Sequence, residues 1–141
     1  MLTKTYDPDQ YVLILGGIVA QGFSERSVIS ITMNDSFTDV TGVDGEVSRS
    51  KNMDRTATVS VSLMQTSSTN LAYSGLSNGD RLARGGAGIV DFAFRDLDGV
   101  TLYASADAWI SKEPDVNAEK EATERVWTIR CGHLNRVDGG A

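Results

Sequence analysis

The chain has 141 residues, 40% of them hydrophobic and 23% charged, with 13 basic against 19 acidic side chains and a formal charge of −6. That length suits a single domain over 1–141, and the apolar content is too high for wholesale disorder. The acidic balance excludes a protein that grips nucleic acid, which needs clustered Lys and Arg to displace phosphate counterions.

In chain order, the apolar run Tyr11-Val12-Leu13-Ile14-Leu15 is followed by Gly16-Gly17 and then Ile18-Val19-Ala20. Two apolar runs around a Gly-Gly pair predict a tight hairpin, since both glycines accept the positive φ of primed turns. Residues 28–33 alternate and predict a third strand, with Val28, Ser30 and Thr32 on one side and Ile29, Ile31 and Met33 on the other. Residues 55–63 hold the cleanest period of two: Ala57, Val59, Val61 and Leu63 share one face, while Thr56, Thr58, Ser60 and Ser62 share the opposite one. That is the pattern of a half-buried antiparallel strand.

The single predicted helix covers about 68–83. Ser67 or Ser68 is its candidate cap, and Leu71, Ala72, Gly75, Leu76, Gly79 and Leu82 recur at helical spacing. Gly75 and Gly79 each cost about 1 kcal/mol relative to Ala, so the helix has to lean on a sheet. Strands are predicted next over 89–95 and 100–110, around an Asp96-Leu97-Asp98-Gly99 turn, with Val90, Phe92 and Phe94 on one face. After a charged loop over 112–124 comes a last alternating strand, 125–134, with Trp127, Ile129 and Cys131 opposed to Val126, Thr128 and Arg130. The tail from Asp138 is expected to be loose. About seven strands joined mostly by hairpins, plus one helix, predict a mainly β fold: an antiparallel sandwich or barrel with a flanking α-helix.

The stretch over about 34–54 stands apart. It is long and polar, its apolar residues show no clear period, and it reads as an extended arm between two strands. A compact domain of this size rarely carries such a segment, because its ordering entropy goes unrewarded unless something outside the subunit supplies partners. The acidity concentrates here and in the 113–124 loop. Asp35, Asp39, Asp44, Glu46 and Asp54 stand against Arg49 and Lys51, and Glu113, Asp115, Glu119, Glu121 and Glu124 stand against Lys120. The plain reading of both is solvated surface that aids solubility.

The sequence predicts no catalytic, metal or cofactor site. His133 is the only histidine, so no two-His metal site is possible, and its place near a strand end suits a surface side chain. Cys131 alone excludes an internal disulfide and reads as a buried structural thiol. Asp96 and Asp98 resemble the start of a calcium loop, but the Gly comes too early and no twelve-residue ligand pattern follows. Gly85-Gly86-Ala87-Gly88 lacks the Gly-Lys-Ser/Thr ending of a phosphate loop. No basic n-region precedes the first apolar run, and no stretch approaches the roughly 20 apolar residues of a membrane span, so a non-membrane protein is expected.

Laid out in this way, the chain resembles the short bacteriophage structural proteins that form the tail tube of contractile-tailed phages. The residues carrying the likeness are Gly16-Gly17 with Gly22-Phe23, Asp35-Ser36-Phe37-Thr38, and Gly42-Val43-Asp44-Gly45-Glu46-Val47-Ser48-Arg49. Further on they are Leu63-Met64-Gln65-Thr66-Ser67-Ser68-Thr69-Asn70, Asp96-Leu97-Asp98-Gly99, Ala108-Trp109-Ile110-Ser111-Lys112-Glu113-Pro114 and Glu124-Arg125-Val126-Trp127-Thr128. Their order and spacing over most of the chain carry the match. Such proteins are similar in fold to the type VI secretion tube subunit.

The resemblance implies hexameric rings that stack into a hollow tube in the virion tail, assembled in the host bacterial cytoplasm. It also implies sheath, baseplate and tape-measure proteins as partners, and DNA that passes through without specific binding. In related tubes an arm between strands reaches the adjacent ring. Asp35, Phe37, Val43, Asp44, Glu46, Val47, Arg49 and Lys51 are the corresponding inter-subunit candidates here. Asp91 and Asp107, acids within strands, are candidates to face the bore, where a negative wall would repel phosphates. Two alternatives stay open: another tail component of the same fold, such as a tube terminator or baseplate hub subunit, and a small β-sandwich binding module.

Overall fold

The structure, a computed structural model, describes residues 11–23, 29–96, 100–116, 118 and 120–139. Ten strands and one helix follow in the order β1 (Tyr11–Leu15), β2 (Ile18–Val19), β3 (Ile29–Met33), β4 (Phe37–Thr41), β5 (Val47–Lys51), β6 (Ala57–Met64), α1 (Thr69–Leu82), β7 (Val90–Asp96), β8 (Leu102–Lys112), β9 (Glu124–Cys131) and β10 (Asn135–Val137). The fold is mainly β, antiparallel at every pairing, with a single helix.

The main sheet has the order β2-β1-β7-β8-β9-β6-β3, with β10 also on β8. It is rolled. Phe23, four residues after β2 ends, bridges Leu63 on β6, and Met64 N donates to Gly22 O at 2.8 Å. Four residues reach at most about 14 Å. In a flat sheet the first and sixth strands would lie about 24 Å apart at ~4.8 Å per strand. The sheet therefore curls into a partly closed barrel.

Alternation along the strands sorts the two faces. Cross-strand partners place Ile31, Val59 and Ile129 in one inward row, and Ile29, Val61 and Trp127 in the next. Val59, Val61, Leu63 and Ile129 are fully buried, and Leu13, Leu15 and Phe92 complete the core from β1 and β7. On the opposite face the register aligns Thr32, Thr58 and Arg130, then Ser30, Ser60 and Thr128. Arg130 donates to the Thr58 hydroxyl at 2.7 Å.

The first hairpin forms as expected: Gly16 and Gly17 take φ of 59° and 82°, which only glycine adopts without strain, and Leu15 pairs Ile18 across the turn. The β7–β8 connection includes Leu97, Asp98 and Gly99, and that predicted turn lies outside the described residues; Asp96 N donates to Thr101 O at 3.1 Å beside it. Val28, assigned to the third strand by sequence, and Glu119 of the acidic loop are also outside them.

Four expectations need correcting. The helix buries Thr69, Tyr73 and Ser77, a face offset from the predicted one, and leaves Leu71 and Leu82 more than four-fifths exposed. Tyr73 sits edge-on to Trp127 with ring centroids 5.6 Å apart, and of the leucines in the expected stripe Leu76 packs half-buried against the core. Ser68 precedes the helix without a side-chain cap bond, and Ser67 Oγ instead accepts from Thr69 N at 3.2 Å and donates to Gln21 O at 2.5 Å.

The segment predicted as one strand to 134 is two. β9 and β10 keep one register on β8, Cys131 opposite Ala108 and Asn135 opposite Ala104, but the strand breaks between them. Gly132 N donates to Asp107 O at 2.8 Å there, and any Cβ on Gly132 would run into the Asp107 carboxylate. The start of the tail is held rather than loose. Thr101 Oγ1 donates to Gly139 O at 3.0 Å and accepts from Gly139 N at 3.1 Å, and Asp138 accepts hydrogen bonds from the Tyr103 hydroxyl and from Arg136.

The fourth correction concerns the arm. It is a β-hairpin, in which β4 and β5 form a separate two-stranded sheet.

Candidate functional site

Every residue of β4 and β5 is exposed, so the hairpin projects from the barrel instead of covering it. The register pairs Phe37 with Lys51, Thr38 with Ser50, Asp39 with Arg49, Val40 with Ser48 and Thr41 with Val47. One face thus carries Phe37, Asp39, Thr41, Val47, Arg49 and Lys51. On it the Arg49 guanidinium stacks over the Phe37 ring at 4.5 Å. Asp39 and Arg49, directly opposed and unlike in charge, favour this register over a slipped one.

The tip is closed by its own backbone. Gly42 N donates to Glu46 O at 2.7 Å, Gly45 N to Gly42 O at 3.0 Å, and Glu46 N to Asp44 Oδ1 at 3.1 Å, with Gly45 at a φ of 86°. Val43 stands fully in solvent at this tip.

A clamp of polar side chains holds the root. Asn52 N donates to Ser36 O at 2.8 Å and its Nδ2 to Asp35 O at 2.9 Å. Asp54 Oδ1 accepts from Thr56 N and the Thr56 hydroxyl at 2.9 and 2.7 Å, and Oδ2 accepts from Asn34 Nδ2 at 2.7 Å. The Thr56 amide first, then the Thr56 hydroxyl and Asn34, hold the Asp54 carboxyl below the usual carboxylate range. Asn34, Asn52 and Asp54 were not singled out by sequence. Their signal was the Asn/Asp spacing on either side of the arm, which suits side chains that bond backbone two residues on.

All eight arm candidates lie on this hairpin or its root, and the structure brings them into one projecting element. Asp91 and Asp107 lie on neighbouring strands. The β7–β8 register shifts between Val90 and Phe92, so Asp91 opposes the Ala106–Asp107 step at a bulge. Asp91 is exposed. Asp107 is half-buried, and its Oδ1 accepts from the Ser105 hydroxyl at 3.0 Å and from His133 N at 3.1 Å, which fixes the break between β9 and β10. Burial pushes the Cys131 thiol up to about 11, in keeping with a structural thiol. Among the described residues no three His, Cys, Asp or Glu side chains converge as a metal site would require.

The chain thus presents a rolled antiparallel sheet, a flanking helix and an exposed hairpin that closes on its own turn. The model of the bacteriophage PhiTE tail tube protein family matches residues 16–139. The structural protein ORF10 of Pseudomonas phage KPP10 is 30% identical over 145 aligned positions, covering 98% of this chain and 84% of that protein.

Three solved assemblies share the fold at 7–12% identity. They are the tube-terminating cap of an anti-feeding prophage (TM-score 0.60; 97% of this chain, 93% of that one), the virion of a gene transfer agent (0.63; 95% and 100%), and the sheath/tube terminator of an extracellular contractile injection system (0.61; 98% and 100%). The chain belongs to the PhiTE-type bacteriophage tail tube protein family, which makes it a structural protein of the virion tail.

Proposed function

We propose that this chain is the repeating subunit of a tail tube: copies close into hexameric rings, the rings stack, and DNA passes through the bore during infection. The observation that carries the reading is the β4–β5 hairpin. An isolated two-stranded hairpin is marginal in water. This one holds Phe37, Val40, Val43 and Val47 outside any core, at 46%, 71%, 111% and 65% exposure. A preformed hairpin with exposed apolar residues suits insertion into a neighbouring copy, in the ring above or below. The outer edge of β3 and both outer edges of the hairpin carry no further strand among the described residues, so their backbone groups are open to pairing between subunits.

In this reading Asp91 contributes a carboxylate to the bore. Asp107 is the weaker of the two acids for that role because its Oδ1 already holds the Gly132–His133 turn. A bore that carries acids and lacks clustered cations lets DNA slide without adhering. Sheath, baseplate and tape-measure proteins are the further partners, and assembly takes place in the host bacterial cytoplasm.

The second reading is a tube terminator, favoured by the cap and terminator among the structural neighbours. It predicts rings that do not stack. Electron microscopy of the purified chain at high concentration, alone and with a baseplate template, separates the two. Stacked tubes are expected; single rings would transfer the assignment to a terminator, and monomers alone under both conditions would remove both.

A further inference from the structure

We propose that the cleft at the root of the β4–β5 hairpin receives the acidic stretch around Asp115 and Val116 of a second copy of this chain. This rests on the stacking reading above and names the two surfaces that meet. The cleft encloses about 380 Å³ between hairpin and barrel. Phe37 and Met53 give it an apolar floor, and Lys51, Arg55 and His133 rim it; no carboxylate lines it among the described residues. Arg55 is fixed by donating to Leu134 O at 3.2 Å, whereas Lys51 is exposed and no acidic residue lies within ion-pair distance of it among the described residues. The neighbouring depression is different: Asp35 and Asp138 already accompany Arg55 and Arg136 there, so its charges are matched within the chain.

The complementary surface lies between β8 and β9. Val116 is 77% exposed and follows Asp115, with Glu121 exposed nearby. Glu113 is already used at home, accepting from Ser77 Oγ at 2.9 Å and facing Arg81 at 3.6 Å. Among the described residues the Asp115 carboxylate has only an exposed 3.9 Å contact with Lys112, a pairing of little strength in water, while its backbone carbonyl accepts from Arg125 at 3.5 Å. An apolar side chain flanked by carboxylates fits an apolar floor rimmed by cations.

The two surfaces cannot meet within one molecule. β6 and β9 pair from Ala57–Cys131 at one end to Met64–Glu124 at the other. The cleft sits at the first end and Asp115–Val116 beyond the second, some 25 Å away for strands of this length. Repeated head to tail between stacked rings, a contact between opposite ends of identical subunits is heterologous and propagates along the stacking axis.

The test pairs charge exchange with crosslinking, on the full chain. Lys51→Glu alone and Asp115→Lys alone should each raise the concentration needed for tube growth by about tenfold or more, and the double exchange should restore most of it. Met53→Cys combined with Val116→Cys should give a ladder of crosslinked oligomers on mild oxidation of tubes; the buried Cys131 stays out of the reaction. Tubes that form normally in all three charge variants, with no Met53–Val116 crosslink, would overturn this contact and leave the tube reading standing. Crosslinked dimers without higher bands would overturn it too, since a head-to-tail contact does not stop at two. A parent chain that forms no stacked assembly would remove the tube reading and this contact together.

Discussion

β6 and the β4–β5 hairpin share Thr, Val and Ser, to which β6 adds Ala57, Leu63 and Met64 and the hairpin adds Phe37, Asp39, Arg49 and Lys51, and their fates are opposite. Val59 and Val61 are fully buried, while Val40 and Val47 stand 71% and 65% exposed. The difference does not lie in strand pairing, since both have regular antiparallel registers. β6 has β3 on one side, β9 on the other and a core behind its inward face; among the described residues β4 and β5 pair only with each other. Alternation decides which side chains share a face. Burial is decided by what the rest of the chain places against that face. In the reading proposed above the sheet supplies stability and the hairpin supplies a surface, which predicts that each can be altered with little effect on the other.

The largest effect is expected in the sheet. Val61→Asp places a carboxylate between Ile29 and Trp127 with no cation beside it. An unpaired buried charge costs roughly 3–5 kcal/mol, a large share of a typical domain's stability. The variant should fail to give a cooperative thermal transition by circular dichroism. The same substitution at Val40, on the hairpin, should leave the melting temperature of the monomer within a few degrees of the parent. Equal destabilisation at the two sites would mean that the hairpin is folded against a core after all.

Excising the hairpin comes next. Asn52 N donates to Ser36 O, so residues 37–51 can be replaced by a short Gly linker without moving the barrel. The monomer should remain folded, with a melting temperature within about 5 °C of the parent, roughly 1 kcal/mol for a domain of this size. Tube growth followed by light scattering should be lost. Normal growth of the excised chain would take the assembly role away from the hairpin.

These contrasts also mark what could be read without coordinates. Strong period-two segments announced β6, β7 and β9, because a half-buried strand leaves a periodic record. Gly16-Gly17 announced the first hairpin for the same local reason. The second hairpin was missed although Asp44-Gly45 is itself a turn signal: with both faces in solvent, β4 and β5 carry no apolar period to flank it. Ten strands replaced about seven partly because β10 is a resumption of β9 after a break set by Asp107, a contact 25 residues back in sequence from Gly132. The helix was placed well and turned wrongly. Tyr73 outcompeted the leucines for the interior because Trp127 offers it an edge-on partner, and nothing local to the helix records that. The arm residues were legible as a group, through their place between strands; the clamp of Asn34, Asn52 and Asp54 was not, since its bonds join residues 17 and 20 positions apart only once the hairpin has closed.

A smaller effect should separate core polarity from core packing. The Tyr73 ring is fully buried, and its hydroxyl has no hydrogen-bond partner among the described residues. Burial raises the pKa of that phenol well above its ordinary value, so the group stays neutral. Tyr73→Phe removes an unsatisfied polar atom and keeps the edge-on contact with Trp127. It should be neutral or stabilise by up to about 1 kcal/mol in chemical denaturation. A loss of more than about 1 kcal/mol would mean that the hydroxyl has a partner, and that the helix is held to the sheet by a polar contact as well as by packing.

The smallest effect is reserved for the hairpin root and depends on pH. Asp54 has its folded-state pKa lowered from 3.8, chiefly by the Thr56 amide, with the Thr56 hydroxyl and Asn34 adding to it. A depressed carboxyl stabilises the folded form fully above its unfolded value, and that stabilisation is lost as pH falls through the folded one. The clamp should therefore be intact at and above about pH 5 and loosen only below pH 4, where Asp54 takes up a proton. Amide exchange in β4 and β5 should accelerate in that acid range, after correction for intrinsic rates, before exchange in β6 does. Asp54→Asn keeps the side chain's size but replaces one acceptor oxygen by a donor, so the hairpin amides should exchange faster already at neutral pH and show a flatter acid response. If β6 and the hairpin instead opened together at every pH, the two regions would be one cooperative unit. The division between a stabilising sheet and a surface-bearing hairpin would then be wrong, because the root would be transmitting the barrel's stability into the arm.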